Sequence, residues 1–384
     1  MIIKMQRTFY PVGQGGFYSE TFTTKNNKFN VVYDCGSVSS NVNPVIASSF
    51  NKNENIDILF ISHFDSDHVN KIDILKKSAH QIRTVIMPLL SSTCRSILIS
   101  VYTALGKDYE NSLKIISNPN DFFGEGTKII HIEEDAVDID DESNQEIYDI
   151  TKIIEDELKF KSGKSISFSI NTQSFWIYKP YNYKDKIRYK ELIREFRKNN
   201  ISIKKLKNID YTKKNIKKIR DCYKKVSGNI NQNSLILYSN IIPNNLNSNL
   251  ISKCFIFPSY WFNQFCFHTP NYQLNIGCIF TGDVNLKTIG NDFIAKIKGD
   301  KYYLPVNTIQ VPHHGSKNGF DINFFNDFSE GRRRIISPIS FGSKNLYGHP
   351  SSTVITQLTS DYHLPVYVTD DKRDLFTQVF EFQV

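Results

Sequence analysis

The chain has 384 residues, 40% hydrophobic and 13% aromatic, which is enough to bury a sizeable core and long for one ordinary domain. Its six cysteines form no Cys-x-x-Cys pair, which excludes a zinc ribbon and a dithiol redox motif. No apolar signal-peptide core opens the chain and no run nears the roughly 18 apolar residues of a membrane span, so a soluble, cytoplasmic protein with reduced thiols is expected. The net charge of +8 is uneven: Lys184 to Lys225 holds seventeen Lys and Arg against five Asp and Glu, a local +12 that leaves −4 for the rest.

From the amino end, Thr8 to Thr24 reads as a strand, a turn at Val12-Gly13-Gln14-Gly15-Gly16, and a second strand. Phe29 to Gly36 reads as a third, ending at Asp34 and Gly36. The apolar run Ile56-Asp57-Ile58-Leu59-Phe60-Ile61 predicts a buried strand of a parallel sheet. The polar stretch His63-Phe64-Asp65-Ser66-Asp67-His68 then falls on the loop at its carboxyl end, where open α/β folds place ligands. His63 and Asp65, two apart, can point one way along extended chain, and the next turn can bring Asp67 and His68 to a second point. That spacing suggests two metal ions.

A helix is predicted over Lys71 to Ala79 and a short buried strand over Ile82 to Pro88, with helix, strand and loop alternating to about Gly126. From Glu133 to Glu157 the chain is acidic, twelve Asp and Glu against the single Lys152, and a strand pair is expected around Ser165 to Tyr178. In the basic segment, apolar residues at Ile187, Leu192, Ile193 and Phe196, and later at Ile216, Ile219 and Tyr223, recur at near-helical spacing. Two basic amphipathic helices are expected there. The expected division is a first half over 1–132, an acidic then basic helical insertion over 133–229, and a second half over 230–384 with a loop insertion at about 240–272. In that last part three apolar strands lead into Thr281-Gly282-Asp283, into Pro312-His313-His314-Gly315-Ser316-Lys317, and towards Gly348-His349-Pro350.

Taken together, these motifs resemble the metallo-β-lactamase superfamily signature, with Asp65 standing where the second His of His-x-His-x-Asp-His usually stands. The variant is most similar to the metallo-hydrolase domain of ComEC-type DNA-uptake proteins and their soluble relatives. Val12-Gly13-Gln14-Gly15, the strand ending at Asp34-Cys35-Gly36, and Asn231-Gln232-Asn233-Ser234-Leu235-Ile236-Leu237 match as well. One departure is Gly16, where the family carries an Asp.

The resemblance implies an α/β fold, the four-layer αββα metallo-β-lactamase sandwich with insertions, binding two divalent cations. Asp283 would bridge them, with His63 and Asp65 on one ion and Asp67, His68 and His349 on the other. A carboxylate can bridge because it has two oxygens. Asp34 would hydrogen-bond behind the ligands. His314, with His313 beside it, would contact the scissile phosphate or protonate the leaving oxygen, and Ser316 and Lys317 could donate to phosphate. No His lies in a motif that would supply the third imidazole of the first ion; His131 and His268 are the unassigned candidates. A carboxylate-rich site suits manganese or magnesium, with zinc also open.

The expected activity is hydrolysis of phosphodiester bonds, foremost in DNA or RNA, with nucleic acid held through the basic segment 184–225. One alternative is a phosphodiesterase for a cyclic or other small nucleotide, which salt-independent substrate binding would favour. The other is a partner-regulated binding module with a degenerate metal site, which low metal content would favour. No membrane partner is expected; a protein partner, a second copy of the chain and a setting in phage defence are left open.

Overall fold

The computed structural model describes residues 1–134, 146–155, 157–184, 186–226, 233–243, 254–257, 275–329 and 334–383. Residues 135–145 and 156 of the acidic block, most of the expected 240–272 insertion, and His268 lie outside them. In chain order the strands of the first part are β1 Ile2–Phe9, β2 Phe17–Thr23, β3 Lys28–Cys35, β4 Ile58–Phe60, β5 Thr84–Pro88, β6 Lys128–Ile132, β7 Tyr148–Asp149, β8 Glu157–Phe160, β9 Ile166–Ile170 and β10 Gln173–Lys184. They continue with β11 Asn233–Ile241, β12 Cys254–Phe257, β13 Gly277–Phe280, β14 Val306–Ile309, β15 Ile336–Ser340, β16 Leu364–Val368 and β17 Phe376–Gln383. The helices are α1 Asn43–Ala47, α2 Ser66–Val69, α3 Ile72–Ser78, α4 Ser92–Leu105, α5 Glu110–Ser117, α6 Pro119–Phe123, α7 Lys186–Lys198, α8 Ile209–Lys214, α9 Ile216–Lys225, α10 Leu286–Lys298, α11 Ile322–Phe328 and α12 Ser352–Ser360. Among the described residues no helix is long and apolar enough to cross a membrane.

Two mixed sheets form, in the orders β12-β17-β1-β2-β3-β4-β5-β6-β8 and β16-β15-β14-β13-β11-β10-β9-β7. Three apolar cores define the layering. Between the sheets lies an aromatic-rich core that includes Phe9, Tyr33, Phe168, Trp176 and Phe280. Outside the first sheet, Leu59, Val85, Leu98, Val101 and Phe196 join it to its helices, and outside the second, Ile236, Phe293, Phe324 and Leu358 do the same. Helix, sheet, sheet, helix is the four-layer αββα arrangement expected from the sequence. Across the central layer, Arg7 Nε donates to Glu20 Oε1 at 2.7 Å, while Tyr178 and Ser239 donate to Glu20 Oε2 at 2.8 and 2.6 Å. All four groups are buried, so the two sheets share one satisfied polar network.

The segment 133–229 is not helical throughout. β8 extends the first sheet, and β7, β9 and β10 complete one end of the second. Its basic part forms three helices where two were expected, because Asn208 starts α8 by accepting from Tyr211 N and α9 follows directly after Asn215. Leu192, Phe196, Leu206 and Ile219 turn into the outer core, and Lys213, Lys214, Lys217, Lys218, Lys224 and Lys225 face solvent. The seat is α4: Ser100 Oγ lies 3.1 Å from Thr212 Oγ1, and Arg220 Nε donates to Ala104 O at 2.8 Å.

Candidate metal centre

Strands β3 and β4 of one sheet, and β13, β14 and β15 of the other, end towards the same edge. There Leu235 N donates to Ser62 O at 2.8 Å and Tyr33 OH to Leu235 O at 2.7 Å, tying the sheets together behind the loop that follows β4. Asp65 is extended (φ −67°, ψ 149°) and Ser66 begins the one-turn helix α2. Extended chain carries His63 and Asp65, and the turn lifts Asp67 and His68.

His63 and His68 stack with ring centroids 4.0 Å apart. His63 Nδ1 is 2.7 Å from Ser62 Oγ, and its buried Nε2 has no hydrogen-bond partner, lying 3.9 Å from Asp65 Oδ2 and 3.8 Å from Asp283 Oδ2. His68 Nδ1 donates to Asp34 Oδ2 at 2.9 Å, while its Nε2, also buried without a hydrogen bond, faces Asp283 Oδ1 at 3.4 Å and Asp67 Oδ2 at 4.0 Å. Asp283 thus turns one oxygen to each imidazole. His314 Nδ1 bonds Ser340 O at 2.9 Å, and its Nε2 points to Asp67 Oδ2 at 3.2 Å and Asp283 Oδ1 at 4.0 Å.

Two groups of potential ligand atoms result, His63 with His68 and Asp283, and Asp67 with His68 and His314; within each, the atoms lie within 4.8 Å of one another. Asp65 joins their edge. Its Oδ1 accepts from the buried Tyr102 hydroxyl of α4 at 3.0 Å, which leaves Oδ2 towards His63.

The remaining sequence candidates sit around this cluster. Asp34, buried and left-handed (φ 58°), accepts from Ser62 N at 2.7 Å and Ser62 Oγ at 2.6 Å besides His68. The resemblance assigns His314 to substrate and His349 to metal; the structure places His314 Nε2 with Asp67 and His68, and leaves His349 outside both groups, its ring 6.0 Å from His313. His313 is half-buried, and its backbone N–H donates to Gly282 O at 3.2 Å. Ser316 is buried and Lys317 exposed. His131 lies 3.6 Å from Glu157, also apart from it.

Local backbone explains why these side chains converge. His313 and His314 are both left-handed (φ 52° and 55°), a conformation that non-glycine residues adopt only when surrounding bonds hold them there. Gly16 and Gly36 let the first sheet close on the loop: a Cβ on Gly36 would sit 2.4 Å from Asp67 O, and one on Gly16 2.9 Å from His68 Nδ1. The family's Asp at position 16 has no room in this arrangement.

The charges are tightly opposed. Burial alone would lower His68, but Asp283, Asp67 and Asp34 hold its pKa well above 6.5; His314 is raised in the same way by Asp283 and Asp67. Burial and the neighbouring His68 push His63 down to about 3, and burial with His313 and His314 pushes His349 down to about 4. Asp283 is held well below 3.8 by His68, His313 and His314 against burial, whereas burial and Asp67 raise Asp65 to about 7. Three carboxylates and three imidazoles in a buried pocket, with two ring nitrogens left unbonded, form a donor set suited to divalent cations.

No family model and no curated protein matches the chain. Among solved structures it is similar to unliganded yeast PDE1 (TM-score 0.44, 8% identity, covering 98% of this chain and 99% of that one). It is also similar to the short form of human tRNase Z (0.39, 8%, 89% and 92%) and to the metallo-β-lactamase fold protein YhfI from Bacillus subtilis (0.35, 8%, 94% and 96%). With TM-scores under 0.5, these likenesses carry no functional weight.

Proposed function

We propose that this chain is a hydrolase of the metallo-β-lactamase superfamily that uses two divalent cations to cleave phosphodiester bonds in nucleic acid. The observation that carries the reading is the paired ligand grouping around Asp283, whose two oxygens face different imidazoles. The buried Nε2 of His63, left without a hydrogen bond, costs on the order of 1–3 kcal/mol, which a bound cation relieves. His63, Asp65 and Asp283 would hold one ion, and Asp67, His68, His314 and the other Asp283 oxygen the second. Bound there, manganese, zinc or magnesium would supply Lewis-acid activation of water and neutralise phosphate charge.

The chain's own groups do the rest. Asp34 and the Ser340 carbonyl fix the ring orientations of His68 and His314. His313, whose backbone bonds Gly282 beside Asp283, would contact the phosphate and protonate the departing oxygen, a role worth about 10²–10⁴-fold. A polymeric substrate is favoured by the position of the basic helices. Arg220 of α9 donates to Ala104 O of α4, the helix whose Tyr102 bonds Asp65. The exposed lysines of α9 thus stand on a helix seated against α4 and suit a polymer backbone.

Purified protein incubated with labelled DNA and RNA in Mn²⁺, Mg²⁺ or Zn²⁺ should cut at least one of them, and the Asp283→Asn variant should not. No cleavage in any metal by protein shown to hold its ions would refute the nuclease reading.

A further inference from the structure

The rim of the cluster carries two aromatic rings that the chemistry above does not use. Tyr109 stacks on Tyr102 with centroids 4.9 Å apart and planes 20° from parallel, and Tyr102 is the residue bonded to Asp65. The turn before it is pinned to the metal loop, because Ser66 Oγ donates to Asp108 O at 2.6 Å. From the other side comes Tyr347, 68% exposed, its ring 5.9 Å from that of His349 and 29° from parallel. Leu346 beside it is 99% exposed.

The loop that carries Tyr347 is rigidly made. The Asn345 side chain accepts from the N–H groups of Tyr347 and His349 at 3.1 and 3.0 Å and donates to the carbonyls of Gly342 and His349 at 2.7 and 2.6 Å. Two tyrosine rings, Tyr109 reached from Asp65 through Tyr102 and Tyr347 beside His349, thus adjoin the cluster.

We propose that Tyr347, with Tyr109, stacks on the nucleobase adjoining the scissile phosphate, so that the site takes unpaired nucleotides of single-stranded DNA or RNA. The proposal rests on the phosphodiesterase reading and adds a base-recognition function to it. A stacked base contributes sequence-tolerant affinity, because every base offers a π-face.

The test compares the full-length, Mn²⁺-loaded protein with its Tyr347→Ala and Tyr347→Phe variants on one oligonucleotide in two forms, intact and abasic beside the cut site. Tyr347→Ala should raise KM for the intact strand about tenfold, leave kcat nearly unchanged, and leave the abasic strand unaffected; Tyr347→Phe should match the wild type. An equal loss on both strands, or no loss on either, overturns the proposal. Binding gives a readout that does not need cleavage: 2-aminopurine at the same position should be quenched by the wild type and not by Tyr347→Ala. If the wild type quenches but never cuts, base stacking stands and the hydrolase reading falls; if it cuts without quenching, the reverse holds.

Discussion

His68 Nδ1 donates to Asp34 Oδ2 at 2.9 Å, and this bond decides which nitrogen of the ring faces the pocket. Asn tolerates the left-handed backbone that Asp34 adopts, so Asp34→Asn removes the charge behind the imidazole without unfolding the turn. Metal affinity should fall about 10- to 100-fold by calorimetric titration with Mn²⁺, with little change in melting temperature of the metal-free protein. Unchanged affinity would mean that His68 needs no orienting partner.

Gly16 touches the same pair from the opposite side. A side chain there would meet His68 Nδ1 at 2.9 Å and Asp34 Cβ at 3.2 Å, and neither can move without losing their mutual bond. Gly16→Ala should destabilise the protein by about 1–3 kcal/mol in urea unfolding and weaken metal binding in parallel. A variant as stable as the wild type would contradict the packing described.

Metal affinity should depend steeply on pH. Burial and Asp67 raise Asp65 from 3.8 to about 7, yet a cation accepts it only as carboxylate. Affinity for Mn²⁺ should therefore rise by about tenfold or more per pH unit below 7 and go on rising above it, because His68 and His314, held protonated by their carboxylates, must also give up a proton to bind. The stability of the metal-free chain runs the other way. The folded state keeps a proton on Asp65 that the unfolded state releases above about pH 4, so this group costs stability as pH climbs from there to about 7. Tyr102→Phe removes the hydrogen bond that favours the carboxylate and should shift the affinity profile to higher pH. Equal affinity at pH 6 and 8 would contradict this account.

The basic helices make a prediction separable from catalysis. Lys217, Lys218, Lys224 and Lys225 are exposed on α9. Replacing all four by Glu should raise KM for an oligonucleotide and lower the salt dependence of binding by roughly three log units per log unit of salt. Hydrolysis of a mononucleotide p-nitrophenyl ester should stay within about twofold of the wild type. If both substrates suffer equally, the arm is structural.

The edge that gathers the cluster was readable because each strand announces itself as an apolar run that ends in a motif, as Ile279-Phe280 does before Thr281-Gly282-Asp283 and Ile309 does before Pro312-His313-His314. Of the two adjacent histidines the resemblance favours His314 for the phosphate, but that its Nε2 turns to Asp67 and His68 was not readable. That depends on a pair of left-handed residues and a bond from His314 to Ser340 O, set by the neighbouring strand β15. Tyr102 and Tyr109 carry no motif either, and they reach the site only because α4 packs across the first sheet. The third basic helix was hidden for a different reason. Its start is a single Asn208 side chain within a Lys-rich stretch whose apolar spacing continues almost unbroken.

The most direct test is the metal content of the purified chain after resupply with Mn²⁺ and removal of excess, read by elemental analysis beside the Asp283→Asn variant. The account requires about two ions per wild-type chain and no more than about one in the variant. Fewer than about one ion in the wild type, or two in both, would contradict a paired cation site built on Asp283.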